Sequence, residues 1–233
     1  MIGILNSLGV TSHMITSAGI TLILCILAIL AGRHLEMVPS TKLQTVMEIL
    51  VEKLNNFYKD VMGEYAGGKY FPIVCTLFLY ILLCNYSGLL PMSGHIPGLA
   101  APTSSINYPA GLAIVVFFAV QTIGIRETHG LKYFKHLLQP VAFLFPLMIL
   151  EEFVRPLSLT LRLYGNIFGE EAVSSSFFHL VPLGIPVIMQ ALSVLMGAIQ
   201  ALVFSLLAGV YISEAAEHGA EEFERLHHTG DAN

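Results

Sequence analysis

Charged side chains are scarce in this sequence, since Asp, Glu, Lys and Arg make up only 12% of its 233 residues. A typical soluble domain carries about 25% charged residues. The mean hydropathy is correspondingly high, at +0.73. So few charges exclude a water-facing globular surface, whereas a chain surrounded by lipid needs charge only at the ends of its spans and along any polar path. We therefore predict one all-α membrane domain over 1–233, with the lipid bilayer as its solvent.

Other absences narrow the function further. The net charge of −5 leaves no basic face for nucleic acid. The three cysteines lie inside apolar runs without metal-ligand spacing, so we interpret them as core residues. No H-e-x-x-H zinc motif occurs. The first 32 residues contain no Lys or Arg, so we expect no cleaved signal peptide.

One apparent nucleotide motif lacks an essential residue. Residues 63–69 fit the spacing G-x-x-x-x-G-K of a phosphate-binding loop, but Tyr70 stands where a Ser or Thr should hold magnesium. The sequence therefore predicts no nucleotide site and no bound cofactor.

What the chain does contain is a series of long apolar runs. About 20 apolar residues cross a bilayer as a helix. This predicts membrane segments at 14–32, 71–90, 109–125, 137–180 and 183–213, followed by a tail over 214–233. The fourth segment is longer than one crossing and holds several charges, so it must face protein or water. We expect it to be broken or strongly tilted.

A polar stretch over 40–60 separates the first two segments. Its apolar residues repeat at helical spacing, which predicts an amphipathic helix lying at the membrane surface or, alternatively, a soluble connecting helix. The members of this apolar stripe are Leu43, Val46, Met47, Leu50, Leu54 and Phe57.

The basic residues predict the topology. Outside the fourth segment, Lys and Arg occur only in 33–69, in 126–135 and in the C-terminal tail. The alternate stretches 1–13, 91–108 and 176–186 contain none. Under the positive-inside rule this predicts about five crossings, with the N-terminus outside and the C-terminus in the cytoplasm.

The fourth segment concentrates the chemistry. Arg155 and Arg162 are seven positions apart, which returns them to within about 20° of one helix face. Glu151 and Asn166 lie four positions from an arginine and border that face, whereas Glu171 falls on about the opposite face. One helix thus offers a fixed cation to one side and a titratable carboxylate to the other. Alternatively, charges such as those of Glu151, Glu152 and Arg155 pair within the membrane and lock helices together.

Arg162 differs from Arg155 because no acidic residue lies three or four positions away. A guanidinium in a membrane then requires a counter-charge from another element. The last segment supplies a second polar stripe, formed by Ser193, Gly197, Gln200, Leu207 and Glu214. There Gln200 is either a functional group or a hydrogen-bond partner for a neighbouring helix, and Gly197 permits close helix approach.

These motifs resemble subunit a of the bacterial F-type ATP synthase. The resemblance is carried by RPLSLTLRLYGN at 155–166, GEE at 169–171, GAIQALVF at 197–204 and APTSSIN at 101–107. It implies a long tilted helical hairpin packed against a rotor ring of small c subunits. It also implies peripheral stalk b subunits and the rest of the ATP synthase as partners, and a bacterial plasma membrane location.

The resemblance further implies roles for individual residues. Arg162 matches the arginine that faces the ring carboxylates, and Asn166 and Gln200 match polar residues near it. Glu171 matches the acidic position of the external half-channel, and Glu151 and Glu152 match the cytoplasmic approach less closely. The translocated ion is H⁺ or Na⁺, and the chain itself is not expected to be an enzyme.

The sequence departs from the family pattern at Ser193, where members with Glu at the 171 position often carry His. Another group, such as Glu170, must then supply any second titratable site in the external channel. Two other functions remain open. A self-contained ion channel or antiporter would pair Arg162 internally, and a structural scaffold would use it for stability alone.

Overall fold

The computed structural model describes residues 12–33, 42–89, 102–127, 145–180 and 185–230. Within these ranges the regular structure is entirely helical, which confirms the predicted fold class. The six α-helices are α1 (Ser12–Arg33), α2 (Lys42–Met62), α3 (Glu64–Ser87), α4 (Asn107–Glu127), α5 (Phe145–Leu180) and α6 (Ile185–Gly230). A short 3-10 helix, Pro102–Ser104, precedes α4.

Four stretches are long and apolar enough to cross a membrane: His13–Leu30, Glu64–Ser87, Asn107–Glu127 and Ile188–Ala216. Helix α5 does not qualify by composition because Glu151, Glu152, Arg155 and Arg162 all lie in it. That α5 crosses the membrane, which would bring the number of crossings to five, therefore stays a prediction. The orientation of the termini also stays a prediction. The protein is a multi-pass helical membrane protein.

The core forms around α6, which packs on α3, α4, α5 and the end of α2. Phe204, Ala208 and Ile212 of α6 have no exposed surface. Large apolar side chains such as Leu22, Ile23 and Leu30 of α1 are instead exposed. This distribution suits lipid contact, because lipid solvates apolar side chains that water would not.

Helix α3 begins earlier than the apolar run from residue 71 predicts, because only Gly63 separates it from α2. Gly63 has φ 80°, a left-handed conformation that glycine adopts without steric cost. Four residues later, a Cβ on Gly67 would lie 2.7 Å from the Cα of Lys59. Gly63 and Gly67, within the stretch that resembles a phosphate-binding loop, therefore form a tight corner between α2 and α3.

Helix α2 packs on the protein mainly through its C-terminal end. Tyr58 is fully buried and Met62 is 1% exposed. The Tyr58 hydroxyl lies 2.6 Å from Ser205 Oγ, and Ser213 Oγ donates to the Met62 carbonyl at 2.8 Å, both on α6. Burial raises the pKa of the Tyr58 phenol, so its hydroxyl stays protonated at neutral pH.

The predicted apolar stripe of α2 mostly faces away from the bundle. Val46 is 64% exposed, Leu50 is 42% exposed and Phe57 is 37% exposed. An outward apolar stripe beside a charged face is what a helix at a membrane surface requires, so the structure favours that interpretation over a soluble connector.

The two longest helices differ from the predictions, because α5 is unbroken and α6 extends beyond the predicted membrane segment. Helix α5 is continuous through Pro156, so of the two expectations, a break or a strong tilt, the break is absent from residues 145–180. The tilt stays a prediction. The Thr160 hydroxyl donates to the Pro156 carbonyl at 2.8 Å, one of the local contacts that accommodate proline in membrane helices. Helix α6 continues through most of the predicted tail, as far as Gly230. The predicted residues 137–144 lie outside the described part of the chain.

Candidate functional site

Helix α5 exposes Arg162 on its outer side. The buried face of this helix carries Leu159, Leu163 and Ile167, which are at most 7% exposed. Arg162 lies beside that face and is exposed, and apolar Leu161 next to it is 53% exposed. Among the side chains that the structure describes, none forms an ion pair with Arg162. A permanent cation therefore lies on an otherwise apolar outer surface.

Arg155, on the same face of α5, has a different environment. Its Nη1 lies 2.9 Å from Oε2 of Glu214 on α6. Its guanidinium carbon also lies 4.9 Å from the ring centroid of Tyr211, one helical turn before Glu214. Ion pairing and cation–π attraction thus hold this arginine between the two helices. Of the two alternatives for Arg155, the structure favours the helix-locking contact.

The polar stripe on α6 has one edge toward α5 and another toward α3. Ser193 and Gln200 are 8% and 6% exposed. Gln200 is 14 positions from Glu214, which places the two within about 40° of one helix face. Because Glu214 contacts α5, Gln200 lies on the edge of α6 that is turned toward α5. Gly197 instead contacts α3, where Asn85 Nδ2 donates to its carbonyl oxygen at 2.9 Å.

Several buried amide atoms lack hydrogen-bond partners within the described ranges. These atoms are Asn166 Nδ2, Gln200 Nε2 and Asn85 Oδ1. Buried polar atoms in native proteins nearly always have a partner, which includes water. The three amides therefore mark where this apolar bundle can accommodate water, an ion or a polar group of another subunit. The structure describes no direct contact among Arg162, Asn166 and Gln200.

The four predicted carboxylates lie within the length of α5, and Glu171 follows Arg162 by nine positions along the same unbroken helix. The side chains of Glu151, Glu152, Glu170 and Glu171 lie outside the described part, so their roles stay predictions. Ser193 is described and buried; it offers a hydroxyl where a histidine would titrate.

Sequence reasoning missed Asn85, although one signal was present. Asn85 is an amide near the end of an apolar run of α3 and is 5% exposed. An amide at that depth requires a partner, which predicts a helix contact or a polar cavity. Tyr211 was missed as well, because nothing in the sequence relates an aromatic ring on α6 to an arginine on α5.

The fold and these polar groups define a multi-pass helical membrane protein with charged and amide side chains between its longest helices. The chain belongs to the ATP synthase A chain family, whose model matches residues 14–213, and that family comprises the membrane-sector subunit a of F-type ATP synthases.

Individual relatives agree with this assignment. The chain is 42% identical over 201 residues to ATP synthase subunit a of Geotalea daltonii, covering 84% of each chain. It is 42% identical over 217 residues to ATP synthase subunit a 1 of Syntrophotalea carbinolica, covering 91% of this chain and 89% of the relative. A third relative, ATP synthase subunit a of Geobacter sp. strain M21, is 43% identical over 199 residues, or 84% and 83% of the two chains.

Proposed function

We propose that this subunit is the stationary ion conductor of the complex. It passes H⁺ or Na⁺ through two half-channels to and from carboxylates on a rotating ring of c subunits. The observation that carries the proposal is Arg162, which is exposed on an apolar surface without a partner among the described side chains. A guanidinium at membrane depth needs a counter-charge, and a ring carboxylate on another chain supplies one.

The energies suit a contact that forms and breaks at each step. At 4 Å and an effective dielectric constant of about 20, opposite unit charges attract by about 4 kcal/mol. A membrane potential supplies about 2.3 kcal/mol per charge per 100 mV. Arg162 would thus lower the pKa of a ring carboxylate enough to release its ion, yet the membrane potential could still separate the pair. Arginine also keeps its charge on burial, whereas lysine could lose it.

The remaining predicted residues would line the two approaches. Asn166 and Gln200 would supply amides along these approaches, and their buried nitrogens without a partner among the described residues support a polar route. Glu171, with Glu170 and Ser193, would serve the external half-channel. Glu151 and Glu152 would serve the cytoplasmic one. Arg155 we assign to the contact with Glu214 and not to the ion path.

In this proposal the subunit makes no bonds itself; it couples ion flow to ATP chemistry elsewhere in the complex. The stalk b subunits would hold it still in the bacterial plasma membrane, with the N-terminus outside and the C-terminus in the cytoplasm. A self-contained channel or antiporter would require an internal partner for Arg162, and the described side chains offer none.

The test is ion-driven ATP synthesis in vesicles that contain the whole complex. Arg162→Ala should abolish synthesis while the complex still assembles. Arg126→Ala, which removes an exposed arginine from the last turn of α4, is the matched control and should synthesise at the wild-type rate. Synthesis at the wild-type rate in Arg162→Ala would refute the proposal.

Two additional assays separate the remaining alternatives. Repeating synthesis with and without Na⁺ identifies the ion. Reconstituting the chain alone and measuring ion flux tests the channel alternative, because a rotor-dependent subunit should conduct nothing by itself.

A further inference from the structure

A ring carboxylate that approaches α5 would meet two arginines on one face of the helix. Arg155 and Arg162 lie within about 20° of the same face and about 10 Å apart along the helix axis. Both keep a positive charge under all physiological conditions. If the ring carboxylate could bind either guanidinium, the step at which it releases its ion would no longer have a single position.

The two arginines have different contacts and different exposure in the structure. Glu214 Oε2 is 2.9 Å from Arg155 Nη1, and the side chain of Arg155 is only 21% exposed. The Tyr211 ring covers the guanidinium at 4.9 Å. Arg162 has neither contact and is exposed.

Apolar residues of α4 and α5 also border Arg155. Arg155 borders a cavity of about 10 Å³ that Val116 and Phe117 of α4 and Leu159 of α5 help to line. A space of this size accommodates about one water molecule. On this side the guanidinium therefore borders apolar side chains, and none of the lining residues is acidic.

We propose that Glu214, with Tyr211, neutralises and immobilises Arg155, so that Arg162 is the one guanidinium of this face that a ring carboxylate can bind. Glu214 is then a positioning residue that determines which arginine the ring selects. The inference rests on the proposed function, and it adds a requirement that neither the family assignment nor the role of Arg162 contains. It predicts that the effect of the Glu214 charge on activity depends on the presence of Arg155.

Glu214→Gln leaves the shape of the side chain but removes the negative charge that lies opposite the Arg155 guanidinium. In vesicles with the whole complex, both ATP synthesis and ATP-driven ion pumping should fall by about tenfold. This is the effect expected if binding of the ring carboxylate to Arg155 adds about 1.4 kcal/mol to the barrier of each step. Glu214→Asp keeps the charge and should retain most activity. Glu64→Gln removes the carboxylate of an exposed ion pair, 3.6 Å from Lys59, and should have no effect.

The decisive variant is the double substitution Arg155→Gln and Glu214→Gln, which removes both charges. It should recover most of the activity that Glu214→Gln loses, because no second cation remains. A purely structural role of the ion pair would leave the double variant as impaired as the single one. So would a role of Glu214 as an ion carrier. Either result, or an unimpaired Glu214→Gln, would overturn the inference.

Assembly is measured in parallel as the ATPase sector retained on the membranes. If Glu214→Gln fails to assemble, the charge-swapped pair Arg155→Glu and Glu214→Arg takes its place. That pair keeps α5 free of a second cation and should be active; an assembled but inactive pair would count against the inference. Arg162→Ala in the same vesicles distinguishes the two proposals. Wild-type synthesis in that variant refutes the proposed function, whereas failure of the double variant to recover refutes only the role of Glu214.

Discussion

Asn85 donates its side-chain amide to the carbonyl of Gly197 at a point where α3 and α6 nearly touch. The donor–acceptor distance is 2.9 Å, and a Cβ on Gly197 would lie 3.3 Å from the Cβ of Asn85. That separation is tighter than an ordinary van der Waals contact. The hydrogen bond and the missing side chain therefore depend on each other: the bond forms because glycine lets the two helices approach.

Gly197→Val should separate these helices and break the Asn85 hydrogen bond. Overpacking of this kind costs about 1–3 kcal/mol. The measurement is denaturant unfolding in detergent micelles. Gly19→Ala is the control, because no atom lies within 4 Å of the Cβ position at Gly19. Equal stability of Gly197→Val and wild type would contradict the described α3–α6 contact.

The corner between α2 and α3 predicts opposite effects at two adjacent glycines. At Gly67 an added Cβ would lie 2.7 Å from backbone Cα of Lys59, whereas at Gly68 the nearest atom is Lys59 Cε at 3.9 Å. Gly67→Ala should therefore destabilise the protein by about 1–3 kcal/mol. Gly68→Ala should stabilise it by about 0.5–1 kcal/mol, the usual helix preference for alanine. Thermal unfolding of the two variants side by side tests this; the same sign for both would refute the corner geometry.

The hydrogen bond between buried Tyr58 and Ser205 predicts that removing one hydroxyl costs more stability than removing the other. Ser205 Oγ also donates to the Leu202 carbonyl at 3.0 Å, so Tyr58 must be the donor between the two hydroxyls. Tyr58→Phe leaves Ser205 with a partner and should cost about 0.5–1.5 kcal/mol. Ser205→Ala leaves the phenol buried without an acceptor and should cost about 1–3 kcal/mol. In denaturant titrations, the variant that lacks both hydroxyls should resemble Tyr58→Phe; additive losses would contradict this account.

Glu127 joins the end of α4 to the start of α3. Its carboxylate lies 2.6 Å from Lys69 Nζ and also accepts hydrogen bonds from the hydroxyls of Tyr65 and Tyr70. Glu127→Gln weakens several contacts to a carboxylate that is 14% exposed and should cost about 1.5–3 kcal/mol. Lys69→Met removes one half-exposed partner and should cost only about 0.2–1 kcal/mol. The reverse order of stabilities in detergent would show that the lysine, and not the shared carboxylate, stabilises this end.

Local sequence patterns predicted the helices better than their contacts. Long apolar runs identify membrane helices because lipid forces every backbone group to bond within its own helix. Helix α3 begins at Glu64, before the apolar run that predicts a membrane segment from residue 71. In this added part, Lys69 is held by Glu127, 58 positions away. Contacts of that separation leave no local pattern.

The candidate site shows the same difference between contacts within a helix, which spacing predicts, and contacts between helices, which it does not. Residue spacing already implied that Arg162 lacks a partner in its own helix, and the described side chains agree. Spacing could not reveal Glu214 as a partner of Arg155, because the two residues are 59 positions apart on different helices. Only packing of the two helices makes Glu214 a partner.

The attachment of α2 to α6 has a mechanical consequence. If a ring turns against the outer face of α5 and α6, it drags them sideways at every step, and an equal and opposite torque must be absorbed by parts that do not move. The hydrogen bonds that join α6 to Tyr58 and Met62 would carry part of that load into α2. With its apolar stripe turned outward, α2 would lie along the membrane surface. Weakening those two bonds would then let the hairpin yield under load, and ions would pass without a full step of rotation.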